Sequence, residues 1–172
     1  IEVYAGDPDA MRAAGCALPG VAPIPYSRLF RERSFQYAII ESWNAAEYYL
    51  PVIRKLSSET RIVVDTVDIH FVRELREAEL KNDDELKARA EENKGREIAA
   101  YRQADRLWAV TEQDKDAIQH FVEDVPIDVI PNIHQQINVS KTYEDTSDLL
   151  FVGNYSHPPN VDAVQYFCAD VL

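Results

Sequence analysis

The sequence predicts an α/β protein built on a parallel sheet with helices on both faces. Three observations carry this. Short runs that are apolar throughout recur along the chain, each is followed by residues with helical spacing, and the runs do not alternate polar with apolar. Strands buried on both faces, joined by right-handed helical crossovers, give that pattern.

The elements follow in order. Ile1 and Val3 open the chain in a strand-like run. Tyr37 to Ile40 is a short strand of buried type, and Ala46, Tyr49, Leu50 and Ile53 then mark a helix from Ala45 to Leu56. Arg61 to Val64 is the next strand. Residues 73 to 97 hold seven Lys/Arg and nine Asp/Glu at three- and four-residue spacing, which predicts a solvated helical face or arm. Arg106 to Val110 is another apolar run. Thr111 and Asp114 have capping-box spacing, with Asp in place of Glu, before a helix reaching about Phe121. Ile127 to Ile130 is a strand closed by Pro131-Asn132.

Residues 133 to 147 are polar and irregular and read as a linker. Leu149 to Gly153 then reads as a new buried strand. Pro158-Pro159 make a turn and Asn160 an N-cap for a helix bearing Val161, Val164, Phe167, Cys168 and Val171. One strand and one helix cannot bury both faces of the strand. Residues 1–147 are therefore expected to form a first domain, itself incomplete, and 148–172 to begin a second. The chain starts at Ile1, and its last helix shows no stop signal, so an excerpt of a longer protein is expected, with the apolar stripe of that helix driving self-association.

Composition excludes several classes. The 172 residues include 18 Lys+Arg and 30 Asp+Glu, for a net charge of −12, which disfavours nucleic-acid backbones and anionic membrane surfaces. Residues 112 to 172 carry −9 of that charge, from 11 acids and two lysines, read as solvation. No apolar run approaches the roughly 18 residues of a membrane span. Cys16 and Cys168 form no ligand pair and read as small buried apolar residues, which fits a reducing, cytoplasmic compartment. Among five glycines there is no G-x-G-x-x-G, and Gly15 and Gly20, at P-loop spacing, precede Val21-Ala22 where Lys-Ser/Thr is required.

Open parallel sheets bind ligands beyond the carboxyl ends of their strands. The candidates are Glu41, Ser42, Trp43 and Asn44; Asp65, Thr66, Asp68 and His70; Thr111 and Glu112; and Gly153, Asn154, Tyr155, Ser156 and His157. Asp65-Thr66-Val67-Asp68-Ile69-His70 places two carboxylates and an imidazole within six residues, enough for a general base with an orienting partner. The plainer alternative is that Asp65 or Asp68 caps the next helix while His70 bonds backbone. His120, in a helix, and His134, in the linker, attract no functional reading, and Trp43 and Trp108 read as core or cleft aromatics, core being preferred.

The order D-T-V-D-I-H, charged helical region, A-D-R-L-W-A-V-T-E, I-D-V-I-P-N, linker and L-L-F-V-G-N-Y-S-H-P-P-N-V-D-A-V resembles GT-B glycosyltransferases of the family 4 type, from about Tyr37 to Leu172. The resemblance implies two Rossmann-like domains, with transfer from a nucleotide sugar in the cleft between them. The acceptor would be a glycan, a lipid-linked or a small molecule, as in polysaccharide biosynthesis. It implies no obligatory metal and no tightly bound cofactor, the nucleotide sugar being a co-substrate, in a cytoplasmic protein that is peripheral to the membrane at full length. Asp68 and His70 would be catalytic. Ser42, Asp65, Thr111, Glu112, Gly153, Asn154 and His157 would contact substrate, with Thr111 also capping its helix.

Two departures matter. Ile133 stands where the family's I-P-N-G has glycine. The family's donor-site pair of glutamates eight residues apart has no counterpart up to Leu172, and no Arg or Lys lies between Gly153 and Asn160, so this chain alone is expected not to catalyse transfer. Two other classes stay open. Asp68 and His70 could be the D-x-H of a two-metal phosphoesterase with Gly153-Asn154 in a G-N-H motif, although Tyr155 replaces the histidine. The chain could also be a non-catalytic binding or assembly module.

Overall fold

The computed structural model describes residues 33–133, 144, 147–156 and 158–172; the expectations for Ile1, Val3, Gly15, Cys16, Gly20, His134 and His157 lie outside them. The chain divides into two compact units, Ile1–Ile133 and His134–Leu172.

In the first unit, β1 (Tyr37–Glu41), β2 (Arg61–Asp65), β3 (Arg106–Ala109) and β4 (Ile127–Val129) form one parallel sheet in the order β1-β2-β3-β4. The helices between them are α1 (Trp43–Leu56), α2 (His70–Lys81), α3 (Asp84–Tyr101) and α4 (Glu112–Gln119). This is the Rossmann-like α/β architecture expected, with strand limits within a residue of those predicted.

Register decides what each strand face meets. Ile40 lies opposite Val64, Val64 opposite Leu107, and Leu107 opposite Ile127, so these side chains share one face. That face forms the core with Trp43, Ala46, Leu50 and Ile53 of α1, Phe71 of α2, Tyr101 of α3 and Ile118 of α4. Strands added in sequential order through right-handed crossovers put their helices on the same side. The opposite face carries Val63 of β2, which is buried, and at the β1 edge Tyr37 and Ile39, both more than half exposed.

Two details correct the sequence reading of 73–97. The region is two helices, separated where Asn82 adopts φ 49° as the cap of α2 and Asp83 starts α3 by accepting from the Glu85 and Leu86 N–H groups. Nor is the region uniformly solvated, because Glu97 is wholly buried. Thr111 caps α4 as its spacing predicts, accepting from Asp114 N–H.

The amino-terminal edge of the sheet is tied by a polar clasp. Arg54 donates to the Thr60 and Gln103 carbonyls at 3.1 and 3.2 Å and to Asp105 Oδ2 at 2.7 Å, while Asp105 Oδ2 also accepts from Ile62 N–H.

The second unit departs from expectation. Residues 149–153 form no strand, and Leu149, Leu150 and Val152 are exposed, because no other described strand of this unit offers them a ladder. Its helix α5 starts at Pro158 and runs to Tyr166, followed by a π-helical turn, Phe167–Val171. Asn160 is inside α5 and not its cap; its side chain donates to the Asn154 carbonyl. Cys168 is exposed, not buried, since no described residue of this unit is buried.

Candidate functional site at the carboxyl edge of the sheet

The backbone is most constrained just beyond β1 and β2. Three described non-glycine residues have positive φ: Ser42 at 72°, Val67 at 63° and Asn82 at 49°. Asn82 is a helix cap, where such a conformation is ordinary. Ser42, with ψ 149°, sits in a region that glycine alone visits freely, and Val67 is β-branched, so each costs ~1–3 kcal/mol that neighbouring contacts must offset. Those contacts are visible. Ser42 N–H donates to the Asp65 carbonyl at 2.8 Å, Thr66 N–H to the Trp108 carbonyl at 3.0 Å, and Asp68 N–H to the Thr66 carbonyl at 2.7 Å. Asp65 Oδ1 accepts from Val67 N–H at 3.1 Å, so this carboxylate shapes the loop and does not cap α2.

That loop delivers Asp68 and His70 to one another. His70 Nε2 is 2.7 Å from Asp68 Oδ1, and Arg73, one turn into α2, holds the other oxygen, Oδ2. Asp68 is thus clamped between an imidazole and a guanidinium, one on each carboxylate oxygen, which fixes its plane. Nε2 is the ring nitrogen that faces Asp68, and Nδ1 is the one that this carboxylate leaves unengaged. Trp43 lies edge-on to the His70 ring at 6.3 Å, and Arg96, paired with Glu47, stacks over Trp43 at 5.2 Å. Two buried polar atoms here have no partner, Trp43 Nε1 and Thr66 Oγ1.

Sequence reasoning missed Glu97. The start of α2 has no side-chain cap of its own, because its N-cap is Ile69. Glu97 supplies one from 27 and 26 residues away: Oε1 accepts from His70 N–H at 3.1 Å and Oε2 from Phe71 N–H at 3.0 Å. Tyr101 Oη, one turn along α3, bonds Oε1 at 2.8 Å. Burial pushes the Glu97 carboxyl up to about 7, against the pull of these three hydrogen bonds, and burial also pushes the Tyr101 phenol up. The signal available in the sequence was the i, i+4 pairing of Glu97 with Tyr101 at the apolar end of a charged helix.

The remaining candidates fall into place unevenly. Ser42 donates to Asn44 Oδ1 and lies beside the Asp65 backbone. Thr111 is engaged in its cap and also bonds Asp114 Oδ2, while Glu112 stands exposed, 3.7 Å from Lys115 Nζ. Gly153 and Asn154 belong to the second unit. A Cβ at Gly153 would lie 2.7 Å from the tip of the exposed Phe151 ring, which would have to swing aside, and Asn154 Oδ1 accepts from Ser156 N–H. Among the described residues, no three His, Cys, Asp or Glu side chains group as metal ligands would.

No family model, no curated protein and no solved structure matches the chain. No helix among the described residues is long and apolar enough to cross a membrane.

Proposed function

We propose that the first unit is the acceptor-side domain of a GT-B type glycosyltransferase resembling family 4, and that Asp68 and His70 activate the acceptor hydroxyl. The observation that carries this reading is the 2.7 Å contact between His70 Nε2 and Asp68, at the carboxyl edge of a parallel sheet where such folds take their ligands. In this reading His70 Nδ1 takes the hydroxyl proton as the oxygen bonds the anomeric carbon, and the C–O bond to the nucleotide diphosphate breaks with its electron pair leaving on phosphate. Asp68 stabilises the resulting imidazolium, and Arg73 holds Asp68 in alignment. The strain at Ser42 and Val67 supports the same location, since unfavourable backbone persists where function requires it.

Acceptor binding tests the reading without requiring turnover. Titrating the ¹⁵N-labelled chain with a panel of simple glycosides and, separately, with nucleotide sugars should shift amides of residues 41–44, 65–70 and 111–112, with Asp68→Asn weakening the response. Shifts confined elsewhere, or none with any sugar, would overturn it. In the protein carrying the full donor site, nucleotide-sugar turnover that is equal in wild type and His70→Ala would remove His70 from the chemistry.

A further inference from the structure

We propose that Glu97 is the positioning residue of the Asp68–His70 pair: its carboxyl grips the backbone of residues 70 and 71 and so fixes the loop that presents Asp68. The proposal rests on the reading above only in calling that pair catalytic. The geometry stands by itself.

Each oxygen of one buried carboxyl bonds a different backbone N–H, so both the position and the twist of the α2 start are set. His70 is the first residue of α2, and its ring is tied to Asp68 two residues before it. Displacing the start of α2 therefore moves both members of the pair. Nothing local replaces this hold, because Ile69 has no polar side chain to cap with.

The surroundings add a dependence on protons. Facing Glu97 are Tyr101 from its own helix, the two N–H groups of α2, and the Asp68 carboxylate across the loop, whose charge opposes a second negative charge. Asp65, at the end of β2, acts on Tyr101 in the same sense. The two cations of α3 nearest to Glu97 in sequence are engaged elsewhere: Lys94 lies over the Phe71 and Phe121 rings, and Arg96 is paired with Glu47. Of the three hydrogen-bond partners, the two N–H groups can only donate, whereas the Tyr101 hydroxyl can donate or accept. When Glu97 is protonated, its O–H donates to Tyr101 Oη and the carboxyl still accepts both N–H bonds. When it ionises, Tyr101 reverses and donates. Tyr101 thus lets the grip survive a change of charge, while the charge beside His70 changes.

The test uses the 172-residue chain. Amide shifts of His70 and Phe71 are followed from pH 4 to 9 in wild type, Glu97→Gln and Tyr101→Phe, with Ile118→Val as a core-destabilised control. In wild type both amides should titrate together with a midpoint near 7. In Glu97→Gln that titration should vanish, the His70 ring ¹⁵N shifts should move, and exchange of the two amides should rise about tenfold more than in Ile118→Val compared at equal stability. In Tyr101→Phe, which keeps the carboxyl, the midpoint should move upward, because the lost hydroxyl bond favours the ionised form. Should Glu97→Gln fail to fold, the wild-type and Tyr101→Phe titrations decide alone. Amides at 70 and 71 that do not titrate, or His70 ring shifts and exchange in Glu97→Gln that match the control, would overturn the proposal. No sugar enters the experiment, so these outcomes are independent of the transferase reading; that reading fails separately if displaced loops leave turnover unchanged.

Discussion

Replacing Glu97 by Gln should flatten one specific part of the protein's pH–stability curve. In the unfolded chain this carboxyl titrates near 4.5; in the fold, burial raises it to about 7. Between those values the folded state holds a proton that the unfolded state has lost, so stability falls as pH rises. The contribution is fully present below 4.5 and gone above about 7. At about 1.4 kcal/mol per pH unit, the span amounts to about 3 kcal/mol, of which about 2.5 lies between pH 5 and 8. Urea unfolding of wild type and Glu97→Gln at half-unit steps across that range isolates the term, because every other titrating group is common to both. The wild-type advantage over the variant should shrink by about 2.5 kcal/mol from pH 5 to pH 8. A difference that stays constant across the range would refute the reasoning, since it would mean that Glu97 carries its charge in the fold at no desolvation cost.

Other substitutions test the remaining parts of the structure. Under the transferase proposal, Asp68→Asn and His70→Ala in a chain that carries a donor site should each lower sugar transfer by about 10² or more while costing under about 1 kcal/mol of stability, as measured by steady-state turnover alongside urea melts. Thr66→Val should be neutral or stabilising by up to about 1 kcal/mol, because the hydroxyl it removes is buried without a partner; a loss beyond that would reveal a partner such as a bound water. Ser42→Gly should gain about 1 kcal/mol in chemical denaturation by relieving φ 72°, and a clear loss would show that the Ser42 bond to Asn44 outweighs the strain. Asp105→Ala should cost about 1–3 kcal/mol by leaving Ile62 N–H and Arg54 without their shared acceptor, yet leave the His70 and Phe71 amide shifts in place.

Local patterns made the alternation of strands and helices legible. Arg61 to Val64 and Arg106 to Val110 were short apolar runs, and the sheet extended or trimmed them by one residue. Thr111 announced its cap because the spacing to Asp114 is itself the hydrogen-bonded geometry. The Asp68–His70 pair was legible for the same reason, being two residues apart at a strand end. What was not legible depends on contacts distant in sequence. Glu97 looked like one acid among nine in a charged stretch, and its role appears only when α3 folds back to place it under the start of α2. Residues 149–153 show the converse failure. An apolar run is a strand only when a neighbour accepts its hydrogen bonds, and the described part of the second unit supplies none.

The two edges of the sheet differ in a way that bears on where chemistry belongs. At the amino-terminal edge, Arg54 and Asp105 between them satisfy three backbone groups and each other, and this clasp involves no backbone at positive φ. At the carboxyl edge two residues with side chains hold conformations suited to glycine, and two buried polar atoms lack partners. Glycine at 42 and valine at 66 would suit stability better. These features lie along the turns after β1 and β2, where the Asp68–His70 pair also sits, and a buried carboxyl from α3 holds that segment in place. Local sequence preference and the folded geometry agree over most of the first unit and conflict here, and such conflicts gather where a structure is shaped by what it must bind. The acceptor-site proposal therefore rests on the coincidence of strain, unpaired polar atoms and a clamped acid–imidazole pair at one edge, and not on the imidazole alone.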